Sequence, residues 1–348
     1  MKLGIAGLPE EDLNLICLQS HAAIEFLHHK EILIYGGTGF IGTWLTAALL
    51  HADQQFNLKI KIKVITRNQS KAINKFGVHK SNIQFHQYDL ALMEPSNNLT
   101  ADVIFIASTP TNTSTGSLNT QDLVQASRNV VSHATRVRSR ILGKPLIIHL
   151  SSGAVFGKQS MDYLFRNEFD AVDKYSEEPY CQAKLVIENG LISAHAQGAI
   201  DYQTPRLFAF LGPGLPLNLH FAIGNFVFDG MQKRKILVRG NPMTRRSYLY
   251  PTDLIEVLFQ TLLLKEPVSF NIGSNTGITI SDLAQKISSL TSNLGVTFLS
   301  PESYPSNYVP STVNMNKNIK KNSYLDLDTS LEKWINWLKT TKNGAMEA

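Results

Sequence analysis

Short apolar runs and longer stretches with helical spacing take turns along most of this chain. Residues 31–35 and 102–107 are compact apolar runs, 60–66 alternates apolar with polar, and 82–88 suggests the same alternation. These four read as strands, the compact run at 102–107 being buried on both faces. Residues 145–150, 202–208 and 268–272 add a fifth, a sixth and a seventh. Between them, 40–50, 121–137, 180–195 and 253–264 carry apolar positions at the spacing of one helix face. Strand and helix in alternation predict a parallel sheet with helices on both sides, the doubly wound α/β arrangement.

Three regions depart from that rhythm. Residues 1–30 precede the first strand and place Leu13, Ile16 and Cys17 at helical spacing, so they read as a mainly helical extension. Residues 211–246 are interrupted by Gly212, Pro213, Gly214, Pro216, Gly240 and Pro242, and the rhythm is lost again after Gly273. The expected organisation is an extension at 1–30, a main domain at 31–210 to which 247–273 returns, and a smaller C-terminal lobe from 211–246 and 274–348. The polar stretches 96–98 and 111–117 read as loops.

Composition narrows the class without choosing within it. The chain has 348 residues, 43% of them hydrophobic and 18% charged, which suits an ordinary globular protein. Its two cysteines, Cys17 and Cys181, give neither a disulfide framework nor zinc-ligand spacing, so a reducing compartment is expected. The net charge of +5 is scattered, and the basic runs Arg136-Val-Arg138-Ser-Arg140 and Lys233-Arg-Lys235 are too isolated for a nucleic-acid partner. Residues 1–30 lack a continuous apolar core, and glycines break the apolar stretch at 31–50. No signal peptide or membrane span is therefore expected, and the expected location is cytoplasmic.

Chemistry enters with Gly36-Gly-Thr-Gly39-Phe-Ile-Gly42, which follows the first strand and opens the first helix. Gly36, Gly39 and Gly42 would supply a tight turn, close approach to a pyrophosphate and close helix packing, with the helix N-terminus aimed at phosphate. That makes 31–210 a Rossmann-type dinucleotide-binding domain. Phe40 and Ile41 would sit at the cofactor, although Phe40 also reads with Trp44 and Leu45 as the core face of the helix. The second strand ends in Thr66-Arg67-Asn68, without the carboxylate that binds an NAD ribose. The cofactor is thus NADP or NAD, with Arg67 tilting the expectation to NADP. Asp89, Leu90 and Ala107, after the third and fourth strands, are further cofactor candidates. Downstream lies Tyr180-Cys-Gln-Ala-Lys184, a phenol and an ammonium one helical turn apart. A phenol near its reference pKa of about 10 is a poor base at neutral pH, and the positive charge favours its phenolate. His149, on the buried fifth strand, reads as a packed histidine rather than a catalyst.

Together these motifs resemble the extended short-chain dehydrogenases/reductases, specifically the NAD-dependent nucleotide-sugar epimerase/dehydratase family. The resemblance runs from about residue 31 to 340. It rests also on Ser151-Ser-Gly-Ala-Val-Phe-Gly157, Gly212-Pro-Gly214, Arg246-Ser-Tyr-Leu-Tyr250 with Asp253, Phe270-Asn-Ile-Gly273, and the helix at 334–339. It implies that Ser152 is the active-site hydroxyl beside Tyr180 and that Lys184 also holds the nicotinamide ribose. It implies too that Arg246 grips a substrate diphosphate and that Asn225 offers the nucleotide a polar group. Arg245 could be a second contact.

The chain departs from the family where water-removing members carry an Asp-Glu pair after the active-site hydroxyl. Gly153 and Ala154 stand there and can do neither job, so an acid would have to arrive from elsewhere, such as Glu177 or Glu178. Ala209 replaces a phosphate-binding asparagine. The expectation is a nucleotide-sugar epimerase that transiently oxidises a ring hydroxyl, in carbohydrate biosynthesis. A nucleotide keto-sugar reductase is the alternative, and a 4,6-dehydratase is disfavoured. A reductase of a non-sugar carbonyl would not need Arg246, and a non-enzymatic NAD(P)-binding regulator would not need Tyr180 or Lys184. The expected partner is a nucleotide-diphosphate sugar, and the resemblance implies a homodimer through the helices at 121–137 and 180–195.

Overall fold

The computed structural model describes residues 1–341, except 78–81, 93, 96–98, 109–111, 114–115, 118–119, 158–159, 162–163, 177, 218, 220, 300–303 and 322. Six parallel strands form the central sheet: β1 (Glu31–Tyr35), β2 (Lys61–Thr66), β3 (Ile83–Gln87), β4 (Val103–Ile106), β5 (Leu146–His149) and β6 (Asp201–Gln203). Their spatial order is β3-β2-β1-β4-β5-β6. The order reverses at β1 and β4, and ligands of such sheets bind outside the strand ends at that point.

All five residues of β1 are buried because helices cover both faces. Ile32 and Ile34 join a cluster with Trp44 and Leu45 of α3 (Phe40–Phe56) and Ile255 and Phe259 of α8 (Pro251–Gln260). Leu33 and Tyr35 point the other way, to Val130 of α5 (Thr120–Ala134) and Ile187 and Leu191 of α6 (Pro179–Ala196). Strand alternation thus divides one apolar run between two cores.

The sixth strand expected at 202–208 is two strands in two sheets. Pro205 has no N–H to continue the ladder, and the chain steps sideways there. Arg206–Leu207 pairs with Ser151–Ser152 on one side and Asn271–Ile272 on the other, in a separate three-stranded sheet. That small sheet carries Ser152 beyond the end of β5. The loop expected at 111–117 contains a short antiparallel pair, Asn112–Thr113 with Gly116–Ser117, whose polar residues give no apolar alternation to read. Residues 96–98 lie outside the described ones.

A second core gathers residues from 211 to 250 and from 280 to 338. It includes Phe226 and Val227 of α7 (Ala222–Met231), Leu283 and Ile287 of α9 (Ile280–Thr291), and Trp334 of α11 (Leu327–Thr340). The first thirty residues hold α1 (Glu10–Gln19) and α2 (His21–Phe26). Asp12 of α1 is buried, accepts a 2.8 Å hydrogen bond from the Tyr250 hydroxyl and lies 2.8 Å from Lys333 of α11. The Trp337 indole donates to the Gly7 carbonyl at 2.9 Å, so the chain's two ends are fastened to each other. Among the described residues no helix is long and apolar enough to cross a membrane.

Candidate active site

A cavity of about 1070 Å³ opens where the small sheet, the first turns of α3 and α6, and α7 converge. It exceeds the roughly 300–1,000 Å³ of a pocket for one drug-sized ligand. Gly39, Phe40, Ile41, Gly42, Ala107, Ser152, Tyr180, Lys184, Asn225 and Arg246 all line it. Arg67, Asp89, Leu90 and Gly36 do not. Arg67 is exposed just beyond β2, and Asp89 accepts from the Ala91 N–H at 3.1 Å within its own turn. Leu90 is buried in the core beside α5. Leu90 therefore reads as packing, and Gly36 belongs to the turn itself.

The glycine turn shows which glycines the chain itself requires. Gly36 has φ +79°, and a Cβ there would stand 2.9 Å from the Ser108 Cα. A Cβ on Gly42 would stand 2.0 Å from the Gly36 carbonyl oxygen. Gly39 is different. It caps α3 at φ −69°, a conformation open to any residue, and its Cβ would meet nothing nearer than 3.5 Å. Space is left there for something outside the chain, at an uncapped helix N-terminus that faces the cavity. That fits a dinucleotide pyrophosphate. Gly39→Ala should therefore leave the melting temperature unchanged or slightly higher, while NAD and NADP binding weakens at least about tenfold because the methyl takes the phosphate's space. Calorimetric titration beside a thermal melt checks both halves.

Lys75 of α4 (Gln69–Phe76) joins this turn, and the sequence did not point to it. Its ammonium donates to the Thr38 carbonyl at 3.2 Å and to Thr43 Oγ1 at 3.1 Å, and burial lowers its pKa. No motif spacing marks a lysine on so polar a helix.

The reacting end is built on α6. Pro179 starts the helix, where its missing N–H costs nothing. Tyr180 follows, and Lys184 lies one turn on, its Nζ 5.6 Å from the Tyr180 ring centre. The buried Lys184 donates to the Leu150 carbonyl. Loss of water lowers its pKa from 10.5 to about 7, against the pull of Glu188. Burial raises the Tyr180 phenol, and a hydrogen bond with Ser152 works the other way. Ser152 Oγ in turn accepts from the Ala154 N–H at 3.2 Å.

Behind these groups lies a buried ion pair. Glu188 receives the Ser151 hydroxyl at 2.5 Å and the Arg206 guanidinium in a fork at 3.1 and 2.9 Å. This network ties the strand carrying Ser152 to the helix carrying Lys184. His149, also buried, is held neutral by loss of water, with the Lys184 charge acting in the same direction.

Arg246, also in the lining, is partly buried, which lowers its pKa. Its guanidinium donates to the Arg245 carbonyl at 2.8 Å and Ser306 Oγ at 3.2 Å. Arg245 turns to the Gly277 carbonyl at 3.4 Å and is not in the lining. Arg239 is, and adds a cation the sequence did not single out. Gly153 has no room for a side chain, since a Cβ would stand 2.6 Å from the Phe208 ring. Glu178 caps α6 from an exposed position, and Glu177 lies outside the described residues. Among the described residues the lining contains Lys184, Arg239 and Arg246 and no carboxylate. Such a cavity suits an anionic ligand and offers no acid of the Asp or Glu kind.

A family model described as the NAD dependent epimerase/dehydratase family matches residues 32–273, well over half of the chain. UDP-glucuronic acid decarboxylase 1 of Danio rerio is 22% identical over 287 residues, covering 80% of this chain and 66% of that protein. This chain thus spans just under two thirds of that relative's length. Among solved structures, UDP-glucose 4-epimerase of Thermotoga maritima with UDP-glucose gives a TM-score of 0.73 at 16% identity, covering 90% of this chain and 100% of that one. UDP-glucuronic acid 4-epimerase of Bacillus cereus, in complex with UDP-glucuronic acid and NAD, gives 0.71 at 18% identity, covering 89% and 99%. At these identities the likeness to solved structures is one of fold.

Proposed function

The chain belongs to the NAD dependent epimerase/dehydratase family, and we propose that within it this protein is a nucleotide-sugar epimerase that transiently oxidises a ring hydroxyl. The observation that carries the reading is the cavity lining: Ser152, Tyr180 and Lys184 share one cavity with Arg239 and Arg246, and no carboxylate is present among its described residues. What a bound nicotinamide dinucleotide supplies there is reversible hydride acceptance, two electrons out and the same two back. Tyr180 takes the proton of the ring hydroxyl as its C–OH becomes C=O, and gives it back on reduction. Ser152 donates a hydrogen bond to the oxygen on which charge changes. Lys184 in its protonated form places positive charge beside the phenol, and Arg246 grips the diphosphate that fixes the sugar's position. Return of hydride to the opposite ring face inverts the carbon and leaves the cofactor as it began. Elimination needs an acid and a base beside the new ketone, and Gly153 and Ala154 provide neither. Lys75 at the glycine turn and Arg67 just beyond β2, with no carboxylate ending that strand, favour NADP over NAD.

The test starts with purified protein, denatured to release any bound nucleotide for mass spectrometry. Retained NADP or NAD is expected, followed by conversion of a UDP-sugar to an isomer of unchanged mass. UDP-glucose and UDP-glucuronic acid are the first two to try. Loss of CO₂ from UDP-glucuronic acid would replace epimerase by decarboxylase. Net oxidation of added NADPH with a keto-sugar would replace it by reductase. No binding of either dinucleotide would sink the redox reading.

A further inference from the structure

We propose that Tyr308 is a positioning residue that fixes the direction of the Ser152 hydroxyl proton, an assignment that rests on the redox reading above. Tyr308 comes from the C-terminal lobe, where Asn307–Tyr308 runs parallel to Arg245–Arg246 with Tyr308 opposite Arg246. That register brings its ring into the cavity lining, 4.5 Å from the Phe208 ring centre and 5.6 Å from the Arg246 guanidinium carbon. Its hydroxyl lies 3.4 Å from Ser152 Oγ and 3.5 Å from the Leu207 carbonyl oxygen. Nothing in the sequence marks it, since no motif spacing connects residue 308 with 152 or 180.

A serine hydroxyl has one proton and two lone pairs. The Ala154 N–H uses one lone pair of Ser152 at 3.2 Å. When Tyr308 donates to the second, the serine proton can only be given away. The remaining acceptors facing it are the Tyr180 oxygen and the reacting oxygen of a bound sugar. Ser152 then acts as a committed donor to whichever of these carries charge. The competing acceptor of the Tyr308 proton is the Leu207 carbonyl, at nearly equal range. The catalytic hydrogen bonds of empty sites are often long and tighten around substrate. Burial dominates and keeps the Tyr308 phenol protonated, with a charge at Tyr180 acting the same way and the hydrogen bonds to Ser152 and the Ala154 N–H and the Arg246 charge acting the other. It remains a donor and does not compete with Tyr180 as a base.

Removing only this hydroxyl frees a lone pair on Ser152 and lets its proton turn away from Tyr180. The phenolate of Tyr180 loses a donor, so its pKa rises. Activity that needs the phenolate climbs with pH through that pKa, so the climb moves to higher pH. In Tyr308→Phe, kcat should fall about tenfold below the climb and return to the wild-type value at alkaline pH, with KM unchanged, because one pKa unit is a factor of ten. A merely structural role would lower activity at every pH.

The deciding experiment needs no sugar. Ultraviolet difference titration of the protein with saturating NAD follows phenolate formation, and the step belonging to Tyr180 is the one absent in Tyr180→Phe. That step should shift up by about one unit in Tyr308→Phe and in Ser152→Ala. The double variant should shift no further than Ser152→Ala alone, because Tyr308 acts through Ser152. An unshifted step in Tyr308→Phe, or additive shifts in the double variant, overturns the proposal. Failure of the wild type to turn over any UDP-sugar would overturn the epimerase reading, and the titration would still decide the role of Tyr308. Tyr308→Phe differs by one oxygen atom, and a thermal melt confirms that it folds.

Discussion

Tyr180→Phe is expected to lose about 100- to 10,000-fold in turnover, the range spanned by a positioned proton-transfer group. Tyr248, Tyr304 and Tyr308 also line the cavity, and Tyr308 too is within hydrogen-bond reach of Ser152, but Tyr180 is the one that stands on α6 a turn from Lys184. Phenylalanine keeps the ring, so cofactor affinity, KM and melting temperature should stay near wild type while kcat collapses at every pH. That pattern separates loss of the proton carrier from loss of the donor arrangement around it, which alkaline pH repairs. Steady-state kinetics across pH, with a dinucleotide titration, checks the result. A loss smaller than tenfold would mean that another group carries the proton, and the epimerase mechanism as drawn would fall.

The second large effect is on stability. Arg206→Met should cost about 3–5 kcal/mol, the usual consequence of leaving one partner of a buried pair without the other. Glu188 and Arg206 are 6% and 8% exposed, and Glu188 also holds the Ser151 hydroxyl. Without the guanidinium, a carboxylate sits in low dielectric with a single neutral donor recorded near it. The double change Arg206→Met with Glu188→Leu should recover most of that loss, since two apolar groups of similar size leave no charge behind. Urea unfolding of the three proteins measures the cycle. A loss under 1 kcal/mol in Arg206→Met would show that the pair is not a unit of stability.

How much was legible follows from what each residue has to satisfy. β1 announces itself because both its faces are covered, and the split of 202–208 was visible in Pro205 to any reading that weighed its missing N–H. Helix α7 was hidden by Gly224 and Gly230, which look like breakers. They are packing residues: a Cβ on Gly224 would stand 2.8 Å from the Pro216 carbonyl oxygen, and one on Gly230 would stand 2.5 Å from Thr291 Oγ1 of α9. The glycine turn, Ser152, Tyr180 and Lys184 could be found because their chemistry fixes residue types at short spacing. Lys75, Glu188, Arg206, Arg239 and Tyr308 could not, because they reach the site or its support through tertiary register. Arg67 and Asp89 follow strand ends, a position that fixes where the backbone goes but not whether the side chain reaches the cavity, and neither is among its lining residues.

The contact between Gly153 and Phe208 has a consequence for how this protein's lineage can change. The Phe208 ring packs against the Tyr308 ring, 4.5 Å centre to centre. An acidic side chain at 153 and a phenylalanine at 208 therefore exclude each other on this backbone. A descendant that regained a carboxylate there would have to shrink residue 208 first, through an intermediate with a hole and no new chemistry to select for it. The reverse order passes through an overpacked one. Both first steps are uphill, so the glycine at 153 is kept by a hydrocarbon ring rather than by any catalytic residue.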